Sequence, residues 1–188
     1  ANHTHKNFII VAPTGIAALN AGGVTIHSQF QLPFGMFIPD KDMPAEQLAG
    51  GNNYNQRLLA RQSPLRDSRR QILRSIDLLV IDEVSMLRAD LLDAVDYRLR
   101  AARGNFHQPF GGVQLLFIGD LFQLPPVFKR EEENRLRQFY ASPWFFSAHC
   151  LRSGSMVYIA LDKIFRQRDE TFIRILNNLR NDCATEAD

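Results

Sequence analysis

The chain has 188 residues, 45% of them hydrophobic, and 22 Lys and Arg against 20 Asp and Glu. That length can bury about 70% of the surface exposed by the unfolded chain, enough for one ordinary core, so a single globular domain is the expectation. A net charge of +2 is too small to announce a polyanion partner by itself, so partners have to be argued from motifs. The two cysteines, Cys150 and Cys183, lie far apart and match neither a metal-ligand spacing nor a disulfide framework, which points to a reducing, intracellular setting. No run reaches the roughly 18 apolar residues needed to cross a bilayer, so no membrane partner is expected.

In chain order, the β-branched run at 8–12 stops at Pro13 and Gly15 and predicts a buried strand, with a short helix over 16–20. Gly22 and Gly23 end that helix, and the mixed segment 24–31 has no regular period. The region around 34–70 reads as a surface insertion, overlapped from 55 to 75 by an Arg-rich stretch that reads as a solvated helix. A second apolar strand at 78–81 ends in Asp82 and Glu83. Leu87, Leu91, Leu92, Val95 and Leu99 then recur at helical spacing. A third strand at 113–118 ends in Gly119 and Asp120. Beyond Pro125 and Pro126 the pattern predicts helices over 131–140 and near 143–150, a fourth strand over 156–161 and a closing helix over 172–179.

Apolar strands alternating with helices, with little in-out alternation, predict an α/β fold whose mostly parallel sheet is covered by helices on both faces. Ligands in such folds gather outside the carboxyl ends of the strands. Pro13-Thr14-Gly15, Asp82-Glu83 and Gly119-Asp120 all stand at such ends.

An Asp-Glu pair after an apolar strand suits a nucleotide hydrolase: Asp82 to hold magnesium, directly or through water, and Glu83 to orient and deprotonate the attacking water. Taken alone, the pair reads equally well as an acidic helix start. Gln123, in Gly119-Asp120-Leu121-Phe122-Gln123-Leu124-Pro125-Pro126, shifts that balance. Its amide can hydrogen-bond the γ-phosphate or the water. Arg166, in Phe165-Arg166-Gln167, is either a guanidinium for the transferred phosphoryl group or a surface arginine.

Together these segments resemble the PIF (petite integration frequency) family of superfamily-one DNA helicases. Val11 to Ala18 resembles its motif Ia, and Gly23 to Ser28 the next DNA-contacting motif. Ile81 to Met86 is similar to motif II, Gly119 to Pro126 to motif III, and Leu161 to Gln167 to motif IV. The stretch from Asp90 to Ala102 looks like the signature helix that separates this family from the RecD and Dda types. The resemblance implies part of the first RecA-like motor domain (residues 1–188) of a P-loop NTPase. That parent would translocate 5′→3′ on single-stranded DNA, hydrolysing ATP with magnesium, and open duplex or fork DNA in repair, recombination or telomere maintenance.

On the same resemblance, Thr14, Gly15, His27 and Ser28 lie against DNA, Asp82, Gln123 and Arg166 hold the nucleotide, and Glu83, Gln123 and Arg166 carry the hydrolysis. No Gly-x-x-x-x-Gly-Lys-Ser/Thr loop occurs in the 188 residues. The expectation is therefore a piece of a longer helicase missing the P-loop strand, with sheet edges open to self-association. The alternative is a degenerate, non-hydrolysing nucleic-acid-binding module. A P-loop kinase shares the Asp-Glu logic, but it leaves Thr25-Ile26-His27-Ser28 and Gln123-Leu124-Pro125-Pro126 without a role.

Overall fold

A computed structural model of the chain describes residues 6–48, 52–161, 163, 165 and 169–183. They fall into two compact units, residues 1–154 and 155–188.

The first unit is built on β1 (Phe8–Ala12), β2 (Val24–Thr25), β3 (Leu78–Ile81) and β4 (Gln114–Phe117). They form one parallel sheet in the order β2-β1-β3-β4. Between them run α1 (Gly15–Asn20), α2 (Ile26–Phe30), α3 (Ala45–Leu48), α4 (Gln56–Gln62), α5 (Asp67–Ser75) and α6 (Ala89–Arg103), and α7 (Arg130–Leu136) follows β4. Parallel neighbours need crossover connections, and α5 and α6 supply the mass of them. Val11, Leu79 and Ile81 on one sheet face are fully buried, and Leu115 and Phe117 pack against the same core. On the opposite face Phe8 and Leu116 are exposed. Among the described residues β4 pairs with β3 alone, so its outer edge carries no strand.

Helix α6 organises the core around three buried carboxylates spaced at i, i+3 and i+6. Asp90 accepts the Phe37 N–H at 3.0 Å and both arms of the Arg88 guanidinium at 2.8 and 2.7 Å. Asp93 accepts the Tyr140 hydroxyl at 2.9 Å, the His149 N–H at 3.1 Å and the Cys150 N–H at 2.9 Å. Asp96 accepts from Arg100 and from the Phe110 N–H. Buried charge survives where every lone pair has a donor, so each carboxylate ties a separate irregular segment to one helix. Burial pushes the Tyr140 hydroxyl and the Cys150 thiol upward, and the Asp93 charge beside them adds to it, so both stay protonated. On the same helix Arg98 donates to the carbonyls of Gln31 and Ser63 at 2.8 and 2.6 Å, and burial lowers its pKa to about 10.

Several expectations are corrected. The segment read as surface insertion sends Met36, Phe37, Ile38 and Tyr54 into the core, where Phe37 and Tyr54 meet edge to face. Pro33 and Gly35 break its period without exposing it. Leu59, Leu65 and Leu73 anchor the Arg-rich stretch, which is two helices rather than one solvated run. The mixed segment 24–31 holds β2 and α2, because Gly23 brings it against β1, where a Cβ would collide with the Ile10 carbonyl oxygen. The helix expected over 131–140 stops at Leu136, and the one near 143–150 is two 3₁₀ turns, Phe145–Ser147 and His149–Leu151.

In the second unit, the strand expected over 156–161 is absent. Val157, Tyr158, Ile159 and Leu161 are exposed, and no ladder partner is present among the described residues, so an apolar run of strand length has nothing to pair with. The closing helix is α8 (Glu170–Arg180), capped by the Asp169 carboxylate, which accepts the Phe172 N–H at 3.0 Å. Arg166 and Gln167 lie outside the described residues.

Candidate functional site

Register decides where the polar strand ends emerge. Val11 pairs with Ile81 and Ile81 with Phe117, so Ala12, Asp82 and Ile118 leave the sheet level with one another at its carboxyl edge. Hydrogen bonds continue one step past the strands. Asp82 N–H donates to the Val11 carbonyl at 2.9 Å, Ile118 N–H to Ile81 at 2.9 Å, and Val84 N–H to Ile118 at 3.0 Å. Gly119 lets the two loops touch, since a Cβ there would sit 2.9 Å from the Val84 nitrogen.

Local geometry then presents the acidic pair. The Glu83 N–H donates to Asp82 Oδ1 at 3.0 Å, which fixes the Asp82 carboxylate in place. Glu83 itself sits at φ 51°, ψ 46°, the left-handed region that costs a residue with a side chain about 1 kcal/mol or more. Its neighbours Val84 and Ser85 are buried, which holds the turn against that strain. Both acidic residues are half-buried, and the Glu83 carboxylate accepts no hydrogen bond from the described residues. Gln123 is exposed and tethered: its N–H donates to the Asp120 carbonyl at 3.0 Å, and its Nε2 reaches Asp120 Oδ2 at 3.4 Å. Asp120 also accepts the Phe122 N–H at 3.1 Å, so this carboxylate shapes the loop that aims Gln123. Sequence reasoning placed Asp120 at the strand end but gave it no part in holding Gln123, although an Asp opening a tight turn was the available signal.

Beside this edge lie the four residues expected to face DNA. Thr14 caps α1, its Oγ1 accepting the Ala17 N–H at 3.3 Å, and Gly15 is exposed with open space where a Cβ would be. Thr25 caps α2 in the same way through the Ser28 N–H at 3.3 Å, leaving the Ser28 side chain exposed. His27 stacks on Phe34 with centroids 4.9 Å apart and planes at 27°. Thr14 and His27 both line a cavity of about 330 Å³, which Phe34, Arg88, Val127 and Glu132 also line. Burial holds His27 below its ordinary pKa, the Arg88 charge adds to that and Asp90 opposes it, so the ring is neutral at pH 7. Arg88 loses solvation in this position, but the Asp90 ion pair outweighs that loss and raises it. Phe34 and Arg88 were not singled out from sequence: Phe34 lay in the supposed insertion, and Arg88 carries no motif of its own. The structure thus brings Thr14 and His27 to one cavity, and sets Asp82, Glu83 and Gln123 on the two touching loops that follow β3 and β4 at the same sheet edge.

The PIF1-like helicase family profile matches residues 2–186. The ATP-dependent DNA helicase PIF1 of Saccharomyces cerevisiae (strain YJM789) is 40% identical over 178 residues, covering 93% of this chain and 18% of that protein. Human ATP-dependent DNA helicase PIF1 is 36% identical, over 92% of this chain and 23% of that one. A crystal structure of a Pif1 helicase from Bacteroides in complex with ADP-AlF3 and ssDNA matches with a TM-score of 0.83 and 41% identity, over 99% of this chain and 39% of that chain. A structure of two coordinating Pif1 helicases unwinding forked dsDNA matches at 0.83 and 40%, over 98% and 40% of the two chains. This chain thus spans about a fifth of the curated relatives' length and two fifths of the solved ones. Because the profile covers residues 2–186, nearly the whole chain, the chain belongs to the PIF1-like helicase family.

Proposed function

We propose that this chain is the nucleotide- and DNA-facing part of a first motor domain. Its parent would be an ATP-dependent helicase that moves 5′→3′ on single-stranded DNA and opens duplexes and forks in genome maintenance. The observation that carries the reading is the parallel register, which delivers Pro13-Thr14, Asp82-Glu83 and the Gly119–Gln123 loop to one sheet edge. Solved relatives bound to ADP-AlF3 and ssDNA support it.

The residues fit a magnesium nucleotide by their donor chemistry. Asp82 offers a half-exposed carboxylate, and Glu83 beside it holds one that no described residue occupies. Bound magnesium would neutralise charge on the phosphoryl oxygens. Glu83 accepts the proton of the attacking water, from a left-handed turn that directly follows Asp82. Gln123 orients that water or the γ-phosphate from a loop fixed by Asp120. Arg166 contributes its guanidinium to the phosphoryl charge on the family resemblance. Thr14, Gly15, His27 and Ser28 face the DNA, where hydroxyl and backbone donors contact a strand without reading its sequence.

The test is DNA-stimulated ATP hydrolysis by the intact parent. Glu83→Gln is expected to lower the rate by about 10²–10⁴-fold while nucleotide binding survives. A variant hydrolysing at the parental rate would remove Glu83 as the base.

A further inference from the structure

The cavity beside the catalytic edge differs from a phosphate site in its charge. Among the described residues that line it the one permanent cation is Arg88, and it is already engaged: the guanidinium is bidentate to Asp90 at 2.7 and 2.8 Å and lies 3.5 Å from Glu132. Two carboxylates thus face one guanidinium, with a neutral imidazole beside them. A phosphate entering there would meet net negative charge, with no free cation among the described residues of the lining to receive it.

What the cavity does offer is a flat apolar wall and a few polar edges. His27 and Phe34 are stacked, Phe34 is 78% exposed at the lip, and Thr14 and Glu132 supply a hydroxyl and a carboxylate. At about 330 Å³ the space is at the small end of ligand sites, which run from about 300 to 1,000 Å³, and suits one ring system. Val127 and Glu132 follow Gln123 in the chain, and Arg88 follows Glu83, so the pocket is walled by continuations of the catalytic loops.

We propose that this cavity receives a nucleobase of the bound single strand, stacked on the Phe34–His27 pair, and that His27 contacts DNA through a base rather than through a phosphate. The inference rests on the DNA-binding reading above and refines it. Every base has a π face, so such a seat grips the strand without choosing a sequence. The carboxylates keep the backbone out of it, while Thr14, Gly15 and Ser28 remain on its rim.

The experiment compares binding of this chain, at low salt, to a 12-mer of thymidines and to a 12-mer of abasic residues with the same phosphates. The expected result is about tenfold weaker binding to the abasic strand, the scale of one lost base-aromatic stack. Phe34→Ala should weaken binding to the thymidine strand by about tenfold and leave the abasic strand unchanged, so that the two affinities converge. His27→Phe, which keeps a ring, should retain the difference. Equal wild-type affinity for the two strands overturns the base seat while leaving DNA binding intact. A difference that persists in Phe34→Ala, or a Phe34→Ala loss equal on both strands, also overturns it. Binding to neither strand removes the seat and the DNA-binding reading of this chain together.

Discussion

Helix α6 and the carboxyl edge of the sheet both carry acidic residues, and they use them in opposite ways. On α6 the carboxylates of Asp90, Asp93 and Asp96 are buried and filled with donors from Phe37, Arg88, Tyr140, His149, Cys150, Arg100 and Phe110. At the sheet edge Asp82 and Glu83 are half-buried, Glu83 sits in a left-handed turn, and its carboxylate takes no donor from the described residues. Satisfied charge holds segments together, whereas unsatisfied charge on a rigid support is available to a ligand. Helix α6 is thus a structural clamp, and the acidic groups left open to a ligand are those at the strand ends.

The comparison yields a graded set of stability effects. Asp93→Ala strands three buried donors at once, so unfolding by urea should show a loss of about 4 kcal/mol. Asp90→Ala leaves the buried Arg88 with only its longer 3.5 Å contact to Glu132 and frees the Phe37 N–H, for a loss of about 3 kcal/mol. Gly119→Ala forces a Cβ onto the Val84 backbone nitrogen and should cost about 1–3 kcal/mol by the same measurement. Glu83→Gln should move stability by no more than about 0.5 kcal/mol, because no partner among the described residues is lost. A Glu83→Gln loss as large as that of Asp93→Ala would erase the distinction between the two regions.

The smallest effect is a pH dependence at the cavity. His27 has a folded pKa below its unfolded 6.5, so its contribution is complete above that value and is lost as pH falls through the range beneath it. Arg88 lies beside the ring, and the Asp90 and Glu132 carboxylates counter it. His27→Phe should flatten the stability profile below about pH 6.5 relative to the parent chain, measured by thermal melts at stepped pH.

Much of the edge was legible before any coordinates, because strand ends are marked by abrupt changes of residue type. Phe8–Ala12 and Leu78–Ile81 were read with the bounds that form, since unbroken apolar runs stopped by Pro13 or Asp82 leave little freedom. The run at 156–161 carries the same local signal and forms no strand, since pairing depends on a neighbour that a local pattern cannot supply. Burial of Met36, Phe37 and Ile38 was hidden for a related reason: their cover comes from Tyr54 and from Asp90 on α6, both remote in sequence. Likewise the acid pair and Gln123 could be named from motifs, but the Asp120 tether and the Arg88–Glu132 wall required the folded chain.

Whether Glu83 and Gln123 serve one reacting centre is decided most directly by a double-mutant cycle on DNA-stimulated ATP hydrolysis in the intact parent. If the two side chains act on the same water and phosphate, Gln123→Ala will slow the parental enzyme strongly and add little to a Glu83→Gln background. Rate losses that multiply in the double variant, each as large as it is alone, would mean that the two residues work independently, against the convergence proposed from the sheet register.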